Sequence, residues 1–275
     1  MLLSSKVRLN DFKRSAMVSL TTVIPVASTI TSVSNLDRNI SNALANNIQV
    51  ILVIDQVSET SNAQLEKIQE KYNQESNAFE LKRGHFGSPG KARNEGLQYV
   101  ETEFITFWDA DDLVNVEELA RVLSVYGENF DYIVGSYEIR KPKYVVSQRV
   151  SAAQPFPRLR VVNQPGVWRI VFRKSQVQKC FFGTSSMGED QIYLANSGLF
   201  NSSRVFFSDV VFYTYFIGVE GQLTNSKEMN SALRVSILEL LRTIYISNLR
   251  ELVFKCLIVL RLYISLIKRF MFGKR

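Results

Sequence analysis

The chain has 275 residues, of which 46% are hydrophobic and 21% are charged, with a formal net charge of +7. This composition is typical of a globular protein long enough to bury a substantial core. It excludes a disulfide framework, since there are two distant cysteines, and we find neither an uncharged membrane-spanning run nor the apolar core of a signal peptide.

The first half of the chain alternates between strand and helix patterns. Residues 1–17 are polar and are predicted to be a loose lead-in. β-Branched and apolar runs predict strands at 19–24, 48–54, 79–83 and 104–108. Apolar residues at helical spacing predict helices at 36–44, 60–74, 91–99 and 115–126. The alternation predicts an α/β fold, with a Rossmann-like, mostly parallel sheet flanked by helices.

The pattern changes after residue 131. Strands are predicted at 132–139, 168–173 and 205–217, and the proline-containing segment 145–166 is predicted to be an irregular insert. A short helix begins after Gly188 and should end at Gly198. From residue 228 the pattern is helical to the end. We therefore predict a main domain over 18–220 and a helical segment over 221–275.

The predicted strand at 104–108 ends in three carboxylates, within the sequence Asp109-Ala110-Asp111-Asp112. In an extended chain Asp109 and Asp111 would leave the same face and repel each other unless a cation lay between them. A hard divalent ion such as Mg2+ or Mn2+ prefers such oxygen ligands and keeps positions for phosphates. The alternative is an acidic helix start, where aspartates complement the helix dipole.

Other polar residues also stand at predicted strand ends or helix starts. Asp55 follows the second strand, Arg93 lies in the third helix, and Glu189 and Asp190 open the helix after Gly188. In an open α/β sheet such positions converge on one crevice, outside the carboxyl ends of the strands. Each has an ordinary structural alternative: a turn or cap for Asp55, a solvated helix position for Arg93, and first-turn acids for the pair.

Six short segments occur in an order that matches a known pattern. They are Thr22-Val-Ile-Pro25-Val, Ile51-Leu-Val-Ile-Asp55, Gly87-Ser-Pro-Gly90-Lys-Ala-Arg93-Asn94-Glu-Gly96-Leu, Phe107-Trp-Asp109-Ala-Asp111-Asp112, Gly166-Val-Trp168-Arg-Ile-Val-Phe172-Arg173-Lys and Gly188-Glu189-Asp190. Together they resemble the family 2 glycosyltransferases of the GT-A fold, which transfer sugars from nucleotide diphosphates and build bacterial surface polysaccharides. The resemblance covers about residues 18–215.

The resemblance implies roles for individual residues. Asp190 is the expected catalytic base, with Glu189 as a supporting acid on the acceptor side, where Trp168 also lies. Asp111 and Asp109 are the expected ligands of Mg2+ or Mn2+. The residues expected to bind the nucleotide-sugar are Pro25, Asp55, Lys91, Arg93, Asn94 and Asp109.

Two positions depart from the family pattern. Ala27-Ser28 stands where an aromatic residue and Asn are common, and Gln56-Val57 stands where a second Asp and Gly are common. Because Gln56 supplies no charge, recognition of the nucleotide would rest on Asp55.

The positive charge is concentrated at the C-terminus, where residues 250–275 hold seven basic residues and one acid. At about 100° per residue, Arg250, Arg261 and Lys268 share one side of a helix, and Leu260 and Ile267 lie on the far side. We predict an amphipathic helix at an anionic membrane surface, with basic residues toward lipid. The alternative is a buried helix or a protein interface.

We therefore expect an inverting, metal-dependent glycosyltransferase that acts on a glycan or lipid-linked acceptor. We expect it in the cytoplasm, peripheral to the inner face of the cell membrane. A catalytically degenerate GT-A scaffold is the second hypothesis. A nucleic-acid binder ranks last, because the tail has few of the polar positions that a groove reader needs.

Overall fold

The computed structural model describes residues 19–27, 30, 33–56, 63–141, 144–217, 229–243 and 249–272. The lead-in predicted for 1–17 lies outside these residues, as do Ser28 and Val57. The predicted alternation of strands and helices is confirmed in the first half of the chain. The strands there are β1 (Leu20–Ala27), β2 (Gln49–Asp55), β3 (Phe79–Gly84) and β4 (Phe104–Phe107), and the helices are α1 (Ser34–Ala45), α2 (Ala63–Glu75) and α3 (Pro89–Leu97).

These four strands are parallel and lie in the order β3-β2-β1-β4. Most residues of β1, β2 and β4 are buried on both faces, as expected for strands covered by helices, whereas the edge strand β3 is mostly half-buried. Pro25 was predicted to end the first strand, but β1 continues through it to Ala27. A proline is tolerated there because β4 pairs with β1 only as far as Val23, so no ladder bond to β4 is lost.

The second half adds a mixed extension to the same sheet, in the order β4-β8-β6-β9-β5, with β7 paired to β6. Strand β8 is antiparallel to both β4 and β6, whereas β6 and β9 run parallel. The elements are β5 (Leu113–Val114), α4 (Val116–Tyr126), β6 (Tyr132–Lys141), β7 (Tyr144–Val150), α5 (Pro157–Asn163), β8 (Ile170–Arg173), α6 (Lys174–Val177), α7 (Glu189–Asn196), β9 (Val205–Phe216), α8 (Met229–Arg242) and α9 (Leu249–Phe272).

The irregular insert predicted for 145–166 is wrong, because this segment contains most of β7 and all of α5. Strand β7 forms an antiparallel pair with the end of β6, and Pro157 occupies the first position of α5. A proline is favoured at that position because its missing N–H would have no helical partner. The segment's prolines therefore mark the boundaries of elements.

The tail helices pack against the main domain. Leu240 of α8 and Ile258 and Leu262 of α9 are fully buried, in the hydrophobic cluster that also holds Val23 of β1. Phe254 of α9 stacks on Phe200, with 4.6 Å between ring centroids. No helix among the described residues is both long and apolar enough to cross a membrane.

Candidate active site

A buried arginine joins two of the predicted acidic sites. The Nη2 atom of Arg93 donates to Asp109 Oδ1 at 2.6 Å, and its Nη1 atom donates to Glu189 Oε1 at 3.1 Å. Arg93 is 4% exposed. Three segments separated widely in sequence therefore meet at one guanidinium group, at the carboxyl edge of the parallel strands.

The start of α3 holds Arg93 in place. The Ser88 side chain caps this helix by accepting a hydrogen bond from the Lys91 N–H, and Pro89 follows at the first helical position. A Cβ atom at Gly90 would lie 2.4 Å from the Gly183 carbonyl oxygen. Only glycine allows α3 to approach the loop before α7 this closely, and this approach brings Arg93 to Glu189.

The acidic cluster after β4 is a turn. The Asp112 N–H donates to the Asp109 carbonyl oxygen at 3.3 Å. The prediction that Asp109 and Asp111 leave the same face of an extended chain is therefore wrong. The Asp109 N–H donates to the Tyr213 hydroxyl oxygen at 3.0 Å, so β9 also supports the turn.

Asp112 is a fully buried carboxyl group within this turn. Its Oδ1 atom accepts from the Phe216 N–H at 2.8 Å, and its carbonyl oxygen accepts from the Asn39 side chain at 3.0 Å. Burial raises the pKa of Asp112 to about 9, and the charges of Asp109 and Asp111 add to the rise. Asp112 therefore ties the turn to α1 and β9 as a neutral group at pH 7.

This position gives a stability prediction. A carboxyl group with a raised pKa stabilises the fold most at low pH, and the contribution is lost as pH rises from about 4 toward 9. In excess chelator, we expect Asp112→Asn to become more stable relative to wild type as pH rises from 5 to 8. The gain should be at most about 1.4 kcal/mol per pH unit. Urea unfolding at both pH values measures it, and parallel curves would contradict the assignment.

Glu189 and Asp190 open α7 in different surroundings. Glu189 is buried and bound to Arg93, whereas Asp190 is half-buried. Burial raises the pKa of Glu189 to about 8, and Asp190 adds to the rise while Arg93 opposes it. Burial also raises the pKa of Asp190. The free amides of a helix start would lower the pKa of such a carboxyl group, but desolvation outweighs them here.

Asp55 lies at the end of β2, beside the glycine-containing loop. Its Oδ1 atom accepts from the Phe86 N–H at 2.7 Å, so the carboxylate orders the loop that leads into α3. The carbonyl oxygen of Gln56 contacts His85 Nδ1 at 2.5 Å. The nucleotide-binding role of Asp55 stays a prediction.

The remaining predicted donor residues lie near the same edge of the sheet. Lys91 is exposed, Pro25 is half-buried, and Asn94 binds the backbone of Phe182 with both ends of its amide, at 2.7 and 3.0 Å. Asn94 therefore joins α3 to the loop before α7.

Aromatic residues form a wall next to the acidic turn. The Trp168 ring stacks on Tyr213 at 4.3 Å and on Tyr215 at 5.4 Å, and it meets Tyr137 edge-on at 4.8 Å. Tyr213 and Tyr215 were not among the predicted site residues. They are two residues apart in a predicted strand, and this spacing indicates that both side chains lie on the same face of the sheet.

The carboxylates of Asp109 and Asp111 are the type of metal ligand that a hard cation prefers. Among the described residues there is no group of three or more side chains of the His, Cys, Asp and Glu types that could enclose a metal ion. Asp109 and Asp111 supply carboxylate oxygens only. Such a set fits Mg2+ or Mn2+, which take one or two carboxylates and fill the remaining positions with phosphate oxygens and water.

The fold is similar to those of solved glycosyltransferases. TarS 1–349 of S. aureus superposes with a TM-score of 0.64 and 20% identity, over 94% of this chain and 73% of that chain. The mannosyltransferase PcManGT from Pyrobaculum calidifontis, solved with GDP-Man and Mn2+, superposes with a TM-score of 0.57 and 12% identity, over 93% of this chain and 76% of that chain. At these identities the likeness shows the GT-A fold, with a C-terminal helical segment.

Sequence comparison identifies the family. The putative glycosyltransferase EpsH of Bacillus subtilis (strain 168) is 26% identical over 115 residues, which are 42% of this chain and 32% of that protein. The matched stretch thus spans about a third of this relative. The family model described as glycosyl transferase family 2 matches residues 23–187, more than half of the chain. The chain therefore belongs to glycosyl transferase family 2.

Proposed function

We propose that the protein is an inverting glycosyltransferase that moves a sugar from a nucleotide diphosphate to an acceptor hydroxyl. The acceptor would be a glycan or a lipid-linked saccharide of a bacterial surface polysaccharide. The observation that carries the proposal is the contact of Arg93 with both Asp109 and Glu189, next to Asp190. The similarity to TarS, also solved with UDP-GlcNAc and with UDP, supports a nucleotide-sugar donor.

Different residues of the site would act as the general base and hold the donor side in position. Asp190 would accept the proton of the attacking hydroxyl, and its raised pKa suits that task. Glu189 and Asp109 are held by Arg93, which fixes the donor side relative to the base. A single base and in-line attack would invert the configuration of the anomeric carbon.

Asp111 and Asp109 would hold a divalent ion. Such an ion supplies Lewis-acid stabilisation of the charge that develops on the leaving nucleotide diphosphate. Arg93 keeps one oxygen of Asp109 oriented, and the backbone carbonyl of Asp111 accepts from the Asn35 side chain at 2.8 Å. The turn is therefore anchored on both sides of Ala110.

A panel of nucleotide-sugars tests this function, with donor binding and slow donor hydrolysis measured with Mg2+, Mn2+ or excess chelator. We expect one donor to bind and to be hydrolysed only with metal. In Asp111→Asn we expect hydrolysis to fall by a factor on the order of 100 or more, because the developing charge is no longer neutralised. Thermal unfolding controls for the fold, and full activity in chelator would refute the metal assignment.

The same panel separates the enzyme from a degenerate GT-A scaffold. A scaffold would neither bind nor hydrolyse any nucleotide-sugar, with or without metal. The buried Arg93 contacts favour the enzyme, because buried charges cost free energy and a scaffold could replace them with apolar groups.

We also propose that the protein is cytoplasmic and binds the inner face of the cell membrane through the outer surface of α8 and α9. This surface holds exposed apolar side chains, flanked by the exposed basic residues Arg250, Lys268 and Arg269. The apolar members are Val235, Leu238, Leu241, Leu249, Val253, Leu260, Tyr263, Ile264, Ile267 and Met271. An apolar face with basic flanks suits an anionic bilayer interface.

The predicted boundary between the main domain and the helical segment, at residue 220, lies outside the described residues and stays a prediction.

Two substitutions test the membrane surface. We expect Leu260→Glu/Ile267→Glu to weaken binding to vesicles that contain anionic lipid by at least about tenfold, because two apolar contacts are replaced by charges. Gln98→Glu/Ser124→Glu adds the same charge elsewhere and should bind normally. Wild-type protein that ignores anionic vesicles would refute the proposal. Deleting α9 is a poorer test, because its inner face is part of the core.

A further inference from the structure

The inner side of α9 packs close to the start of α7, the helix that begins with Glu189 and Asp190. A Cβ atom at Gly188 would lie 3.5 Å from the Leu262 side chain, which is fully buried, so α9 passes close to the point where α7 begins. Arg261 precedes Leu262, and its Nε atom donates to the Asn163 carbonyl oxygen at 3.0 Å. The sequence grouped Arg261 with the lipid-facing basic residues Arg250 and Lys268, whereas in the structure Arg261 is half-buried and its side chain is bonded to α5.

The guanidinium of Arg261 lies within electrostatic range of Asp190, and the two groups form no ion pair. The two groups are close enough to affect each other: burial lowers the pKa of Arg261 and Asp190 opposes this effect, while Arg261 in turn acts to lower the pKa of Asp190. Within the described part of the chain, Arg261 Nε has the Asn163 bond, and neither Nη atom has a hydrogen-bond or ion-pair partner. Two donor groups are thus open beside the candidate base.

A second arginine without a carboxylate partner, Arg169, also lies next to Tyr137. Arg169 is fully buried with its guanidinium 5.0 Å from the Tyr137 ring, and its Nη2 atom donates to the Gln164 carbonyl oxygen at 2.5 Å. Burial lowers the pKa of Arg169 to about 10, and no carboxylate of the described chain pairs with it. Tyr137 lies within the electrostatic reach of both Arg169 and Arg261.

The positive charge extends along α5 and α9. Burial lowers the pKa of Arg158, and the nearby charge of Arg250 lowers it further. The acid in this part of α9, Glu251, is paired with Lys255 at 2.8 Å. Arg250 and Arg261 are separated by about 16 Å along the helix, at about 1.5 Å per residue. Among the described residues, Arg158, Arg250 and Arg261 form no ion pair with a carboxylate.

We propose that Arg261 binds an anionic group on the acceptor, so that the acceptor is a saccharide carrying a phosphate or a carboxylate near the hydroxyl that is glycosylated. The inference rests on the proposed function and names its acceptor class. A guanidinium binds both oxyanions through two parallel hydrogen bonds, and Arg261 has its Nη donors open for such a contact. Arg261 lies outside residues 23–187, the part of the chain that the family model matches.

Three matched probes test the inference: glucose, glucuronate and glucose 6-phosphate. Their affinities for the full chain are measured by ligand-observed NMR titration, together with donor binding and donor hydrolysis. We expect at least one acidic probe to bind about tenfold or more tightly than glucose, which corresponds to about 1.4 kcal/mol. Tighter binding of glucose 6-phosphate would identify phosphate as the recognised group, and tighter binding of glucuronate would identify carboxylate. Equal affinities for all three probes would overturn the inference.

Variants assign the effect to Arg261. We expect Arg261→Gln to abolish the preference for acidic probes while donor affinity stays within about twofold. Lys268→Gln, two turns away on the same helix, should keep it. If Arg261→Gln does not fold, Arg261→Lys retains the charge, and its acidic-probe affinity should still fall severalfold without a change for glucose. A preference that survives these substitutions would overturn the inference.

Binding of the nucleotide-sugar and binding of anionic vesicles distinguish a failure of the proposed function from a failure of the inference about Arg261. If wild-type protein binds no nucleotide-sugar, the proposed function itself fails. If it binds and hydrolyses a donor but shows no acidic preference, only the inference about Arg261 fails. Arg261→Gln should bind anionic vesicles normally. A loss of vesicle binding with an unchanged preference for acidic probes would assign Arg261 to lipid and overturn the inference.

Discussion

Asp190→Asn is expected to lower sugar transfer by a factor on the order of 100 or more, the usual scale of general-base loss. The substitution keeps the shape of the side chain and removes its ability to accept a proton. Donor affinity should change little, because Arg93 is bound to Asp109 and Glu189 rather than to Asp190. Transfer rates and donor binding measured on the same preparations check this expectation.

Glu189→Gln is the matched comparison, since it neutralises the neighbouring carboxyl group of the same helix start. Glu189 is buried against Arg93, so its loss should disturb the placement of Arg93 and Asp109 and weaken donor binding. If Glu189→Gln alone stops transfer and leaves donor binding intact, the two roles are reversed. If neither variant impairs transfer, the base lies elsewhere and the pair is a helix start.

The parallel half of the fold follows from local patterns. β1 and β2 are apolar runs that end in polar residues, and α1 carries its apolar residues at helical spacing. The helix predicted to open at Asn115 is also confirmed, since the Asn115 side chain accepts from the Glu118 N–H at 3.3 Å. Such features depend on neighbours within a few residues, so they can be read from the sequence.

The second half depends on contacts between distant residues. Strand β8 lies between β4 and β6, and the β6–β9 pair joins residues about 70 positions apart. No periodicity encodes these partners. The segment 145–166 was predicted to be irregular because prolines were given more weight than the β-branched run at 144–150, which β6 stabilises as a strand.

The acidic residues and Arg93 were predicted to converge, and the structure brings Arg93, Asp109 and Glu189 into contact. The turn at Asp109 was not predicted, because it depends on contacts with α1 and β9. The direction of Arg261 was not predicted either. A helical projection gives the angle between two side chains, but it does not tell which side of the helix packs on the domain.

Arg93→Met is expected to destabilise the protein by about 3–5 kcal/mol, because removing one partner of a buried ion pair leaves the other charge uncompensated. Arg93 contacts both Asp109 and Glu189, and its guanidinium also lies 5.2 Å from the Phe182 ring. Urea unfolding at pH 8 measures the loss. The loss should grow as pH rises above 8, because Arg93 lowers the pKa of Glu189, and without Arg93 the buried carboxyl group stays neutral to a higher pH than in wild type while the unfolded chain is ionised.

A double-mutant cycle that combines Arg93→Met with Glu189→Gln isolates the contact between Arg93 and Glu189. In the Glu189→Gln background, Arg93→Met should cost less stability than in wild type, with a coupling free energy of about 1–3 kcal/mol. Arg93→Lys is the control for charge, since it keeps a cation but cannot donate to both carboxylates in a fork. We expect it to remain folded and still lose most of its transfer activity. Additive effects of the two substitutions on stability would show that Arg93 does not hold Glu189, and the placement of α7 would need another cause.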